Sequence, residues 1–133
     1  MSEFHLEIVT PDGLLYEGEA QKLIVRTTEG DVGILPRHSD FLTSLAIGLA
    51  KVYTENGLRV ASCADGLLSV SDGKVRLVAS TFEWAEDIDV ERAKDAKSRA
   101  EQKIKSGNSD YELRLAQVKL KKALARIHAS ESK

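Results

Sequence analysis

One cysteine, two prolines, one tryptophan and 5% aromatic residues in a chain of 133 leave several classes of protein without the parts they need. The lone Cys63 has no internal partner for a disulfide, and one sulfur with three scattered histidines does not supply the ligands of a zinc site. Cys63 sits in Val60-Ala61-Ser62-Cys63-Ala64, a context that suits a small buried hydrophobe and not a nucleophile, and a reducing compartment fits it. No run approaches the roughly 18 apolar residues of a membrane helix. Met1-Ser2-Glu3-Phe4-His5 has neither the basic segment nor the apolar core of a secretory signal, so any membrane association is expected through partners. A glycine-rich phosphate loop followed by Lys and Ser or Thr is also missing, which argues against nucleotide hydrolysis by this chain alone.

What is present divides at Glu86-Asp87-Ile88-Asp89-Val90-Glu91-Arg92-Ala93. Upstream, apolar residues alternate between glycine turns; downstream they recur every three or four residues among charges, so the period changes from strand to helix. Phe4, Leu6 and Ile8 start the alternation, and Thr10-Pro11-Asp12-Gly13 turns it. Further strands are expected at Leu14 to Tyr16 and Leu23 to Thr27, then at Ile47 to Thr54 and Leu58 to Ala64 around Glu55-Asn56-Gly57. Gly66 and Asp72-Gly73 bound two more, at Leu67 to Ser71 and Lys74 to Ala79. Turns at such short intervals, with no room for parallel crossovers, predict an antiparallel sandwich or flattened barrel over residues 1–86. Gly33-Ile34-Leu35-Pro36-Arg37-His38 reads as an edge or corner, because Pro36 removes a backbone donor. His38 has no assignable catalytic partner, and the loop is better read as a contact surface.

Residues 87–133 read as an antiparallel helical hairpin, giving an α+β chain. Ala93, Ala96, Ala100 and Ile104 make a stripe of small side chains, and Ser106-Gly107-Asn108-Ser109-Asp110 ends one helix and caps the next. Leu113, Ala116, Leu120, Ala123 or Leu124, and Ile127 share a face of the second helix. An alanine methyl contributes only about 0.8 kcal/mol on burial, so the hairpin is expected to rest on the sandwich or on a partner with a margin of a few kcal/mol. Either of the aspartates before the first helix can cap it. The role is given to Asp87, which leaves Asp89 and Arg92 to form a local pair or to hold a polar ligand.

Charge is unevenly spread. Residues 1–86 carry 7 basic and 13 acidic side chains, and residues 87–133 carry 12 and 8. Arg92 and Arg99 stack on one helix face, and Lys119, Lys122 and Arg126 on the other. Closing the hairpin brings these rows together, and an anion bearing several phosphates favours the closed form. Solvated faces paired to Glu91, Asp95 and Glu112 are the competing reading. A basic helix without interleaved aromatics or a recognition motif does not point to nucleic acid.

The order of sandwich and hairpin, Val9-Thr10-Pro11-Asp12-Gly13, Gly30 with Gly33-Ile34-Leu35-Pro36 and His38, and Asp87 to Ala93 together resemble the epsilon subunits of bacterial F-type ATP synthases, over essentially the whole chain. The resemblance implies a non-catalytic rotor subunit of a proton-translocating motor. Its sandwich grips the gamma subunit and the c-subunit ring through the loop carrying Gly30, Asp31, Gly33, Pro36 and His38. Its hairpin inhibits ATP hydrolysis when extended, where Arg114, Lys119, Lys121, Lys122 and Arg126 meet an acidic segment of the beta subunit. The location implied is the cytoplasmic side of the bacterial plasma membrane, peripheral and held by the complex. The hinge is similar to the form found in bacilli, which binds ATP as a regulatory ligand in the folded state. By position, Glu83, Ile88, Asp89, Arg92, Ala93, Arg99 and Arg126 match that site, with Lys122 in place of an arginine. Arg37 stands where the family usually has glycine.

Overall fold

In a computed structural model that describes residues 2–107 and 109–132, the alternating half of the chain forms seven strands. They are β1 (Phe4–Thr10), β2 (Gly13–Ala20), β3 (Lys22–Thr27), β4 (Gly30–Ile34), β5 (Phe41–Thr54), β6 (Gly57–Ser71) and β7 (Lys74–Trp84). Three of the turns between them share one local design. At Thr10, Thr27 and Thr54 the hydroxyl oxygen accepts the amide of the residue two places on, at 3.2, 3.1 and 3.1 Å. Gly13, Gly30 and Gly57 then take φ values of 114°, 112° and 113° at the start of the returning strand. A threonine that closes a short side-chain turn and a glycine free of Cβ strain fix the register of each hairpin. The β6–β7 turn is the other short kind, with Asp72 and Gly73 both at positive φ.

The strands hydrogen-bond in the order β2-β1-β7-β6-β5-β3-β4, and the sheet closes on a core that includes Leu6, Ile8, Leu23, Ile34, Leu68 and Leu77, all with no exposed surface. Every pairing is antiparallel except β1 with β7. That parallel pair was not expected from the sequence; it needs no crossover helix, because the five intervening strands carry the chain back to β1. Further differences concern length: β2 and β7 run on to Ala20 and Trp84, and β6 and β5 differ more. The stretches expected as separate strands on either side of Gly66 are one strand, β6, whose pairing lapses at Asp65 but keeps the same register beyond it. β5 likewise begins at Phe41, well before Ile47. Asp65 and Gly66, both at positive φ, form a bend inside one strand, and β7 passes so close that a Cβ on Gly66 would lie 1.8 Å from the carbonyl oxygen of Val78.

After Trp84 a 3-10 turn (Ala85–Asp87) leads into α1 (Val90–Ser106) and α2 (Asp110–Glu131). The N-cap of α1 is Asp89, not Asp87: Asp89 Oδ1 accepts the Arg92 amide at 3.1 Å, while Asp87 belongs to the 3-10 turn. Ser109 caps α2 in the same way, accepting the Glu112 amide at 3.1 Å. Ala93, Ala100, Ala116 and Ala123 are buried, and Leu124 is left outside. α2 packs on β5, β6 and the 3-10 turn, while α1 lies against α2. The docked end is a small cluster of Val60, Ala85, Ile88 and Ala129 with Leu49 beside it. No helix among the described residues is long and apolar enough to cross a membrane.

Candidate functional site

The change of period at the end of β7 gives the site its walls. β7 delivers Glu83 on one side of the seam, the 3-10 turn delivers Asp87, and the cap of α1 holds Asp89. With its first turn fixed by that cap, α1 presents Arg92, Ala93, Ala96 and Arg99 at spacings of three and four, so they share one face. Arg126 arrives from α2. Together with Ile88 these residues line a cavity of about 410 Å³ between hairpin and sandwich, within the range of small-molecule sites. Glu83, Ile88, Asp89, Arg92, Ala93, Arg99 and Arg126 were all singled out in the sequence, and the fold brings them to one place.

Two lining residues escaped the sequence reading. Asp87 had been given the capping role that Asp89 performs, and Ala96 had been counted only as part of the small-residue stripe, although its position one turn from Arg92 was the available signal. Lys122 is not among the lining residues. Its Nζ lies 3.8 Å from Asp65 Oδ2, on the bend of β6, so the sandwich holds this amine aside. Arg126 is also engaged: its Nε donates to Glu83 Oε1 at 3.1 Å, tying α2 to β7 across the junction. Arg92 and Arg99 make no side-chain ion pair among the described residues.

The walls carry three carboxylates, from Glu83, Asp87 and Asp89, and three guanidinium groups, from Arg92, Arg99 and Arg126. Carboxylates accept from amino and hydroxyl groups, while guanidinium forks hold phosphate oxygens two at a time. A ligand with a polar, donor-bearing end and an anionic end meets both halves of this chemistry. The cavity exists only with α2 folded onto β7, since Arg126 and Glu83 come from opposite sides of the junction.

The remaining candidates lie elsewhere. Gly30, Asp31 and Gly33 are in β4, an outer strand of the sheet, and Pro36 and His38 are in the turn that follows. Asp31 pairs with Arg26 at 3.3 Å across the hairpin. His38 Nδ1 is 2.8 Å from the Ser39 carbonyl oxygen, and its ring tilts against Phe41 at 5.5 Å, which occupies it in shaping the loop. Arg37 adopts φ 66°, the left-handed region. Arg114, Lys119 and Lys121 are exposed on α2, whereas Lys122 and Arg126 are half-buried toward the sandwich. Cys63 is buried, and burial, aided by the nearby Asp65 charge, pushes its thiol up to about 12. His5, Glu7 and Glu17 on β1 and β2 present potential metal-ligand atoms within 4.8 Å of one another; His5 Nε2 is 3.0 Å from Glu17 Oε2.

Residues 3–85 match the family described as ATP synthase, Delta/Epsilon chain, beta-sandwich domain, and residues 86–131 match its long alpha-helix domain. The chain belongs to the ATP synthase delta/epsilon family. Among similar family members, the ATP synthase epsilon chain of Ruminococcus albus is 38% identical over 134 residues, spanning all of both chains. That of Ligilactobacillus salivarius is 42% identical over 131 residues, covering 95% of this chain and 94% of the relative. The fold is also that of a chain in the Euglena gracilis mitochondrial ATP synthase, with a TM-score of 0.85 at 22% identity over 98% of this chain and 82% of the other. A second, in the central stalk and c-ring of the Tetrahymena thermophila mitochondrial enzyme, gives 0.62 at 13% identity, covering 95% of each.

Proposed function

We propose that this chain is a rotor subunit of a proton-translocating F-type ATP synthase, not catalytic by itself, whose hairpin senses ATP. The sandwich joins a gamma subunit to a c-subunit ring through the β4 edge and the turn carrying Pro36 and His38. The hairpin, when extended, carries Arg114, Lys119, Lys121, Lys122 and Arg126 to an acidic segment of a beta subunit and inhibits ATP hydrolysis. ATP favours the folded hairpin. The location is peripheral, on the cytoplasmic face of a bacterial plasma membrane, with attachment through the complex. Full-length similarity to bacterial epsilon chains supports the rotor role. The observation that carries the sensing role is the cavity itself, whose acids and arginines come from both sides of a junction that must close to form it.

Glu83 and Asp89 accept from the donor-bearing edge of the nucleotide base or its ribose, Ile88 and Ala93 give the apolar wall beside it, and Arg92, Arg99 and Arg126 take phosphates. Filling the site adds a bond across the junction that the extended form lacks. A ligand at a hundred times its dissociation constant then favours the folded state by about 2.7 kcal/mol, comparable to the docking margin of so small a cluster. Calorimetry of the whole chain with ATP, beside Arg92→Ala, tests the reading. A heat of binding that the substitution abolishes is expected; no heat, or equal heats, overturns it. A second reading, a rotor subunit with a vestigial nucleotide site, has one observation in its favour: Lys122 is held by Asp65, and Arg126 by Glu83.

A further inference from the structure

A second cavity, of about 300 Å³, lies between the helices beside the first and shares Ala96, Arg99 and Arg126 with it. Its lining differs in kind. Five cations surround it (Arg99, Lys103, Lys119, Lys122 and Arg126), and no carboxylate does. The space exists because Ala96, Ala100 and Ala116 stand where longer side chains would fill the gap between α1 and α2. Two of the five cations are answered from the sandwich, Lys122 by Asp65 and Arg126 by Glu83. Arg99, Lys103 and Lys119 have no ion-pair partner among the described residues.

Lys103 and Lys119 come from different helices, so folding the hairpin sets like charges around one cavity. That arrangement is unfavourable unless an anion enters. The first cavity is charge-balanced and already has guanidinium groups for the phosphates nearest a nucleoside. The second adds positive charge in one direction only, past Arg99 and Arg126. Lysine suits that position: a flexible point charge follows a phosphate chain without dictating its geometry.

We propose that this second cavity is a polyphosphate site, in which Lys103 and Lys119 bind the distal phosphates of a ligand whose nucleoside end occupies the first. The assignment rests on the nucleotide reading above and adds a ligand class to it: affinity rises with the length of the phosphate chain. It also assigns binding roles to two lysines outside the hinge, one of them on α1.

The full-length chain is titrated calorimetrically with ATP, adenosine 5′-tetraphosphate and inorganic tripolyphosphate, and the same titrations are run on Lys103→Gln/Lys119→Gln. Circular dichroism verifies that the variant keeps its helices, which is expected because both lysines are exposed. The fourth phosphate should tighten binding about tenfold in the parent chain, and the double variant should lose that gain. Tripolyphosphate should bind the parent and not the variant. ATP binding with no gain from a fourth phosphate, and equal affinities in parent and variant, overturns the assignment and leaves the nucleotide reading standing. Tripolyphosphate binding that needs the two lysines, without any ATP heat, sinks the nucleotide reading and keeps the anion site. Silence in all three titrations overturns both.

Discussion

At the scale of single residues, two positions carry local costs that the rest of the chain absorbs. Arg37 lies at φ 66°, where a side chain with a Cβ is strained by about 1 kcal/mol. Glycine tolerates that conformation, so Arg37→Gly is expected to raise stability by about 0.5–1 kcal/mol, read from the urea midpoint at unchanged slope. Cys63 is the other. Its thiol stays neutral in the folded chain up to about 12, whereas the unfolded thiol ionises near 9.0. Above 9.0 the unfolded state therefore binds fewer protons than the folded one, and stability falls as pH rises. The loss is about 1.4 kcal/mol per unit from this group, ending near 12. Cys63→Ala should flatten that part of the pH–stability curve, with no change in slope below pH 8. Thiol reagents should label Cys63 in denaturant and leave the native chain unmodified.

At the scale of elements, the sequence was most informative where a local rule sufficed. The turns at Gly13 and Gly57, the alternation of β1, the helix break around Gly107 and the alanine stripe are each decided within a few neighbouring residues, and each is where the sequence indicated. What was not legible depends on residues far apart in the chain. The parallel β1–β7 pair joins the first strand to the last, and the continuity of β6 through Gly66 follows from a register with β7 that is the same on both sides of Asp65. The candidate site divides along the same line. Its α1 half follows from helical spacing, but Lys122 was expected in it and is drawn aside by Asp65, a contact that arises only when α2 docks. The choice between Asp87 and Asp89 as cap turned on where the 3-10 turn ends, and two aspartates separated only by Ile88 give no local signal for that. Gly66 tests the bend. An alanine methyl there meets the Val78 carbonyl oxygen and forces β6 away from β7, so Gly66→Ala is expected to destabilise by about 2–4 kcal/mol. Gly33→Ala, on the β4 edge with open space around it, should change stability by less than about 0.5 kcal/mol in the same denaturation experiment.

For the whole molecule, the two parts are held with very different strength. The sandwich core includes at least six large side chains with no exposure, while the hairpin docks through Val60, Ala85, Ile88 and Ala129 with Leu49, and through the Arg126–Glu83 and Lys122–Asp65 pairs. Half-exposed pairs of this kind contribute about 0–1 kcal/mol. Four small or medium side chains add only a few more, so the hairpin can leave without unfolding the strands. Ala129 has no exposure, and a carboxylate placed there has no cation with which to pair in the docked cluster. Burying it unpaired costs more than the docking margin, and the chain avoids that cost by releasing α2. Ala129→Glu should therefore lose amide protection in α2 while β1, β6 and β7 keep theirs, as measured by hydrogen exchange on the isolated chain. On the sensing proposal, the same substitution introduced into a reconstituted ATP synthase should increase the inhibition of ATP hydrolysis and make it insensitive to added ATP, because it removes the folded state that ATP is proposed to favour. Loss of protection throughout the sandwich would show instead that the two parts fold as one unit, leaving no separate equilibrium for a ligand to shift.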